Sequence, residues 1–570
     1  MHSKVTTGIQ KAVSGGALKK ETRIFVNHVG FTPKGGKYFV VMNPHEENFQ
    51  ITRRWGEQVL FRGQLKRVSK DLGAAWVGNF TKLRKEGSYL IHCGKAQSRV
   101  VTIYKGIYDY PLRVIFNYFP SQRCGNSFSG WHAPCHTADG RLADTGKHVD
   151  VTGGWHQSCD LRKWTHGVSF GPMGLTQFGL RKSPRWDRGQ IAEEIRWGNQ
   201  FFHKMARPDG GLMAHVVEPG GWAEERDICP KDACSLAIYN TIIGQAMAAE
   251  FFKDSDPRYS RKCLEIARHM WRYITGENYS AARDTLGQET HDWMSMFFSQ
   301  NYPGSALNSG DGLYAALAMY RATGENEWLD TACSSASALV NLQIGGNVSK
   351  DPVSACFRIG HDRPELECAY YDGYLGQMGL CELLQLRPDH KDAIKWRKAI
   401  YRIAEQNCMM AERNPWGLIP CYWYAQDPGG GRKAGSGYYR YFYNYDRLSA
   451  GLNADILGSA LFLLRVHKIT SKQRYFDIAC RQLDWILGCN PFNASTVEGV
   501  GNNQPQRLIS DQFSPPTPQI PGAVMTGIVG TDKDEPLEFG IRGPGRINVD
   551  VEYNIPQTAM LMWLMSELPE

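Results

Sequence analysis

Two textures divide the chain. From residue 23 to about residue 105, apolar and polar positions alternate in short segments, at 24–26, 38–42, 58–61, 89–91 and 100–103, with Gly, Pro and Asn between them. Period-two alternation puts every second side chain on one face, so residues 23–106 read as a small antiparallel β-sandwich. After Tyr108 the period lengthens. Apolar residues recur at three- and four-residue steps in the stretches 191–205, 233–252, 258–274, 312–322, 367–384, 393–408, 453–467 and 474–486. That spacing lays an apolar stripe along a helix, and Gly or Pro between stretches marks the ends. Roughly ten to twelve helices in consecutive pairs are expected.

No fixed-period repeat relates these helices, which argues against a solenoid of identical units. Hairpins of unequal length, joined alternately by short turns and long loops, suit a closed ring. In such a ring the long loops, here 124–159, 278–308, 414–447 and 489–546, gather at one end and carry function. The first 22 residues are polar and rich in Gly, Ser and Lys, and read as a disordered leader without the apolar core of a signal peptide.

Composition narrows the function classes. With 42% hydrophobic and 21% charged residues, the chain is of ordinary globular type, and no run of eighteen apolar residues is present to span a membrane. Fifteen cysteines without a short disulfide framework point to reduced thiols and a cytoplasmic setting; a signal peptide preceding this sequence would make the protein secreted instead. A net charge of +8 without a Lys/Arg block or nucleic-acid motif excludes a duplex partner and suits a neutral or anionic small substrate. Oligomeric state is left open.

Chemistry concentrates in the loop that runs to Asp160. Cys124, Cys135, His136 and His156 offer two thiolates and two imidazoles, a tetrahedral donor set for structural Zn2+, with His132 and Cys159 as spare candidates and Ca2+ as a second candidate ion. Four protein ligands leave no open position, so such an ion holds the loop and does not activate water. Two later segments are aromatic: Tyr422-Trp423-Tyr424 and the run from Tyr438 to Tyr445, which includes Tyr439 and Tyr441. Flat apolar rings with polar rims suit stacking on sugars, and loop packing is the competing explanation.

Several segments resemble glycoside hydrolase family 9, inverting cellulase-like enzymes with an immunoglobulin-like N-terminal domain and an (α/α)6 barrel. Phe25-Val26-Asn27-His28-Val29-Gly30-Phe31 is similar to the opening strand of that N-terminal domain. Gln122-Arg123-Cys124-Gly125 and Pro134-Cys135-His136 resemble its zinc-binding branch, and the segment from Asp150 to Asp160 resembles its Asp-Val-Ser-Gly-Gly-Trp-His-Asp-Ala-Gly-Asp motif. Pro208-Asp209-Gly210-Gly211, Leu487-Gly488-Cys489-Asn490-Pro491 and Gly522-Ala523-Val524-Met525 match as well. The resemblance implies the barrel over residues 107–570 and glycosidic cleavage of an oligo- or polysaccharide.

It also exposes departures. Of the two Asp that hold the attacking water in the family, the first is Gln157 here and the second, the base, is Asp160. Counting back from Asn554, the position of the family's proton-donating Glu falls on Asn548, and an amide cannot replace a carboxylic acid in that role. Glu552 and Asp550 are the candidate acids if the loop is shifted. Arg507 is the nearest match to the family's substrate-binding Arg, and Gln157, Asn548 and Tyr553 complete the expected sugar contacts.

Two other readings compete with hydrolysis. Gln157 and Asn548 remove negative charge, which would suit β-elimination on a uronic-acid-containing glycan, with Tyr439, Tyr441, Tyr443, Tyr553, His166 or His291 moving the proton. A sugar-binding relative without catalysis also tolerates both amides. Asp311, Glu365, Glu367 and Asp372 read more simply as acids at helix starts.

Overall fold

The computed structural model describes residues 21–125, 132–181, 186–276, 279, 302–366, 374–445, 448–450, 452–505, 519–531, 533–540, 547–548 and 551–569. Nine strands form the N-terminal domain: β1 (Arg23–Val26), β2 (Tyr38–Met42), β3 (Asn48–Arg53), β4 (Val59–Gln64), β5 (Lys66–Val68), β6 (Ala75–Asn79), β7 (Gly87–Cys93), β8 (Ala96–Gln97) and β9 (Val101–Ile103). One sheet runs β1-β2-β6-β5. The other runs β4-β3-β7-β8, with β9 also on β7. On β7 the alternation of Tyr89, Ile91 and Cys93 inward against Leu90 and His92 is what pairs the two sheets face to face. Between them Phe39 meets Phe49 edge-on at 4.9 Å and Phe31 meets Phe80 at 5.3 Å.

The rest is helical, as the lengthened period predicts. The helices are α1 (Asp109–Phe116), α2 (Tyr118–Ser121), α3 (Thr165–Val168), α4 (Phe170–Arg181), α5 (Arg188–Met205), α6 (Ser235–Phe252), α7 (Pro257–Ile274), α8 (Ala306–Thr323), α9 (Asn326–Asn341), α10 (Leu375–Leu386), α11 (Ala393–Ala411), α12 (Asn453–Thr470), α13 (Gln473–Ile486) and α14 (Ile555–Glu567). Helices α4, α6, α8, α10, α12 and α14 each pack on the next, and α14 returns to α4, so six inner helices close a ring. Helices α5, α7, α9, α11 and α13 back them from outside, and α1 backs α14. This is the (α/α)6 barrel.

The two layers obey different sequence rules. Outer α7 buries Ser260, Cys263, Ala267, Met270 and Ile274 at alternating three- and four-residue steps, starts on Pro257, and is capped by Asp256, which accepts from Tyr259 N at 3.1 Å. Inner α6 is buried almost all round, so its pattern is a continuous apolar run with little amphipathic signal. Where α8 and α10 cross, Gly310 and Gly376 touch backbone to backbone: a Cβ on Gly376 would lie 2.7 Å from Gly310 Cα.

Small sheets decorate the loops. Strands β10 (Arg141–Leu142), β13 (Asp227–Asp232), β12 (Met213–Glu218) and β11 (Lys163–Trp164) lie side by side in that order. The segment read as an aromatic loop forms a sheet of β14 (Tyr422–Tyr424), β16 (Gly437–Arg440) and β15 (Arg432–Ala434). Strand β17 (Tyr443–Tyr445) pairs with β18 (Leu448–Ala450), and β19 (Val529–Gly530) pairs with β20 (Leu537–Glu538). A last strand, β21 (Ile547–Asn548), lies parallel to β18.

The sandwich is fastened to the barrel by buried polar contacts. Asn27 donates to Asp484 at 2.8 Å, and Trp416 Nε1 donates to the Leu72 carbonyl at 3.3 Å. Asp71 of the sandwich is the hub: it accepts from Tyr439 at 2.8 Å, Tyr441 at 3.0 Å and Arg413 at 2.8 Å. Removing this buried acceptor strands three donors, so Asp71→Ala should cost about 3 kcal/mol in chemical denaturation. A loss below about 1 kcal/mol would show the hub to be dispensable.

Candidate functional site

The loop that leads to Asp160 is shaped by a short antiparallel bridge. Cys124 N donates to the Gly154 carbonyl at 2.9 Å, and His156 N donates to the Gln122 carbonyl at 2.8 Å. These bonds bring two candidate ligands 32 positions apart side by side. Beneath them lies Glu194 of α5, buried, accepting from Arg123 at 2.7 Å and from Trp155 Nε1 at 2.7 Å. The residue before each ligand is thus tied to one carboxylate. Burial pushes the Glu194 pKa up, against the opposing pull of Arg123.

Cys124, Cys135, His136 and His156 converge, all buried, with their ligand atoms within 4.8 Å of one another. Three of its edges are 3.6 Å from Cys124 Sγ to His136 Nδ1, 3.5 Å from Cys135 Sγ to His156 Nε2, and 3.4 Å between the two imidazole nitrogens. A tetrahedral ion with bonds of about 2.3 Å to sulfur and about 2.05 Å to nitrogen requires edges of about 3.6 Å and about 3.3 Å. These three edges match that geometry, so the donor set fits a tetrahedral metal ion.

Its surroundings agree. His136 Nε2 faces the Gly221 carbonyl at 2.9 Å, which orients the ring and leaves Nδ1 for the ion. Arg226 Nη2 approaches Cys124 Sγ at 3.4 Å and also pairs with buried Asp139 at 2.6 Å, and Lys163 pairs with Asp139 at 2.9 Å. Burial raises the Cys124 pKa, but the hydrogen bond with Cys135 and the positive charge of Lys163 bring it well below the usual thiol range, while that same hydrogen bond and burial push Cys135 up. The spare candidates are not ligands: His132 turns Nδ1 to the Ala133 carbonyl at 2.6 Å, and Cys159 joins the hydrophobic core. Among the described residues no second cluster of this kind is found, so Ca2+ has no counterpart there.

Four residues beyond His156 the chain reaches the mouth of the barrel, at the N-terminal ends of the inner helices. Asp160 Oδ1 accepts from Ser158 Oγ at 2.8 Å and Arg162 N at 3.1 Å, whereas among the described residues Oδ2 has only Arg162 Nε, at 3.9 Å. The Asp160 side chain is 16% exposed. One oxygen is thus fixed and the other is turned toward solvent. Burial raises the Asp160 pKa, offset in part by Arg162 and Ser158.

Gln157 lies beside it. Its carbonyl accepts from Tyr118 Oη at 3.3 Å and Ile555 N at 3.1 Å, while its side-chain Oε1 is buried without a hydrogen-bond partner among the described residues. Gly167 makes room for the amide, since a Cβ there would lie 2.1 Å from Oε1. Ser158 bridges to Asn554, and Met525 bridges to Tyr553, so the start of α14 is drawn against the Asp160 loop. Glu552 is half-buried, and its carbonyl accepts from Thr526 N at 2.7 Å. Tyr118 is pushed well up, by burial first and then by Tyr553.

Other expected sugar contacts are corrected by the structure. Tyr439 and Tyr441 are 0% exposed, with their hydroxyls bound to Asp71, and Trp423 is 8% exposed against Tyr439. These rings fasten the sandwich to the barrel and present no face to a sugar. Tyr553 is also 0% exposed, edge-on to Tyr118 at 5.7 Å. Asp550, Arg507 and His291 lie outside the described residues, as do the side chains of Asn548 and Tyr443; the Asn548 backbone pairs with Ser449. Sequence reasoning missed Glu194, Tyr118 and Arg162. Arg162, two positions after Asp160, was the one with a local signal.

Comparison with known proteins gives a consistent picture. The family model described as glycosyl hydrolase family 9 matches residues 108–535, and that of the cellulase N-terminal ig-like domain matches residues 19–98. Endoglucanase D of Acetivibrio thermocellus is 23% identical over 519 residues, covering 85% of this chain and 74% of that protein. A cellodextrinase of Butyrivibrio fibrisolvens is 22% identical, covering 84% and 85%. Among solved structures, a metagenome-derived glycoside hydrolase family 9 endoglucanase superposes with TM-score 0.67 at 22% identity, covering 96% of this chain and 99% of that one. A Zn-binding triple mutant of the family 9 endoglucanase J30 gives TM-score 0.67 at 18% identity, covering 95% and 99%.

Proposed function

Because the chain belongs to glycosyl hydrolase family 9 and is a glycoside hydrolase, we propose that it cleaves a β-linked polysaccharide with Asp160 as general base and Glu552 as general acid. The observation that carries this reading is the asymmetry of Asp160. Oδ1 is held by Ser158 and the Arg162 amide, so Oδ2 keeps a lone pair for a proton from water. Gln157, three positions earlier, replaces the family's other water-holding carboxylate with an amide. Inversion asks for a proton donor across the sugar, about 6.5–9.5 Å from the base. Glu552 suits this role because it lies two positions before Asn554, which bridges to Ser158 of the Asp160 loop.

The relatives, endoglucanases and a cellodextrinase, support polysaccharide hydrolysis and give no support to β-elimination. The match of three ligand–ligand edges to a tetrahedral zinc site, and a donor set of two thiols and two imidazoles, support Zn2+ as the ion it holds. When bound, the ion cross-links the loop that carries Asp160, and the reaction itself falls to Asp160, Gln157 and Glu552.

Product analysis on neutral and uronate-containing oligosaccharides is the test. Reducing ends should be released without growth of unsaturated-uronide absorbance, and growth of that absorbance would overturn hydrolysis. Glu552→Gln should lower kcat on an unactivated glycan by roughly 10²–10³-fold but spare a substrate with an acidic aryl leaving group; equal losses on both would remove Glu552 as the acid. Since the base must be ionised and its pKa is raised by burial, kcat/KM should fall on the acid side at a pH above the ordinary Asp value of about 3.9. Arg162→Met should move that limb higher still, and an unmoved limb would assign it to another group.

A further inference from the structure

At the end of the barrel away from Asp160, the inner helices finish in charges of alternating sign. In order around the ring stand Arg181 on α4, Glu250 on α6, Arg321 on α8, Glu382 on α10, Arg465 on α12 and Glu567 on α14. Arg321 pairs with Glu250 at 3.6 Å and closely with Glu382, and Glu567 accepts from both Arg181 and Arg465 at 3.2 Å. These six charges sum to zero. A seventh, Lys468, lies on α12 just beyond Arg465, reaches Glu567 at 2.9 Å and is 46% exposed. Burial works to raise the Glu567 pKa, yet Arg465, Arg181 and Lys468 together hold it down at about 2, so the carboxylate stays charged.

The ring walls a solvent-open cavity of about 370 Å³, lined by Arg181, Glu250, Arg321, Glu382, Arg465 and Lys468. The pairing is incomplete. Arg321 Nη2 and Arg465 Nε are buried without a hydrogen-bond partner among the described residues, and Glu250 Oε2 has no contact there shorter than its 3.6 Å ion pair with Arg321 Nε. Leaving such atoms unmet is costly, on the order of 1–3 kcal/mol each, so an occupant that meets them is favoured. The unmet atoms ask for two acceptors and one donor. Carbonyl ends of the helices favour a cation, but the Arg and Lys of the same last turns already answer them, and the surplus of one Lys decides the sign.

We propose that this cavity binds hydrogen phosphate, whose bare oxygens accept from Arg321, Arg465 and Lys468 and whose hydroxyl donates to Glu250. Arginine forks match phosphate oxygens, and the remaining volume is filled by water. The site is separate from the hydrolytic centre and bridges helices that meet only in the folded ring, so occupancy stabilises the fold.

Equilibrium dialysis of the full-length protein against inorganic phosphate, with chloride balancing ionic strength, should show one phosphate per chain and a saturable rise in Tm. Lys468→Met, at a partly exposed position, should fold, keep hydrolytic activity and bind phosphate roughly five- to tenfold more weakly. Arg465→Met should abolish binding if it folds. Absence of saturable binding, or unchanged affinity in Lys468→Met, would overturn the proposal and leave the cavity to water.

Discussion

Asp160→Asn is expected to lower kcat by roughly 10²–10⁴-fold while Tm and metal content stay at wild-type values. The substitution keeps the shape of the side chain. An amide oxygen can still accept from Ser158 Oγ and Arg162 N, the contacts that fix Oδ1. What is lost is the basic oxygen that faces solvent. The loss should be greater than that from changing Gln157, because the Gln157 amide is not a base. Turnover at the wild-type level in Asp160→Asn, on the oligosaccharide that the native protein cleaves best, would remove Asp160 as the base and with it the proposed mechanism.

Cys124→Ser is expected to have the largest effect on the fold. The serine oxygen is a poor donor for an ion bound by soft sulfur and imidazole, so purified protein should contain little zinc. The cost extends beyond the lost bond. Arg226 keeps Asp139 but loses the thiolate it approaches at 3.4 Å, and two buried imidazoles lose the ion that organises them. A fall in stability of upwards of about 3 kcal/mol follows, with a matching fall on treating the native protein with a strong chelator. Metal analysis at one equivalent in the variant would exclude Cys124 as a ligand. Activity should fall with the metal, because His156 and Asp160 share one short loop.

How much of this was legible in the sequence depends on how far apart the partners lie. The four ligands fall within 33 positions, and Cys and His are residue types with few other reasons to gather, so the metal cluster could be read directly. The strands of the sandwich were visible for a similar reason: Tyr89, Ile91 and Cys93 record their burial by strict alternation. Ring closure is harder to see. Inner helices such as α6 are apolar on all sides, and their sequences show burial without saying which neighbours provide it.

The aromatic segment shows where local reading misleads. Tyr439 and Tyr441 have the composition of a sugar platform, and what reverses the inference is Asp71, 368 and 370 positions earlier. A buried carboxylate and two phenols satisfy one another across the domain boundary, and only the folded chain brings them together. Glu194 was missed in the same way. It reads as one more charged residue of an outer helix, and its role depends on Arg123 and Trp155 arriving from another loop. Glu552 was named, with Asp550, as an alternative to Asn548, the position that counting back from Asn554 gives, and the bridge between Ser158 and Asn554 sets its segment against the Asp160 loop.

The bridge between Ser158 and Asn554, with α14 closing on α4, has a consequence for the order of events during synthesis. Asp160 is made early and its counterpart on the lip of α14 nearly four hundred residues later, so no partial product of translation can carry a complete mouth. A chain cut short before Ile555 has the Cys–His cluster and Asp160 but lacks the helix that closes the ring around them.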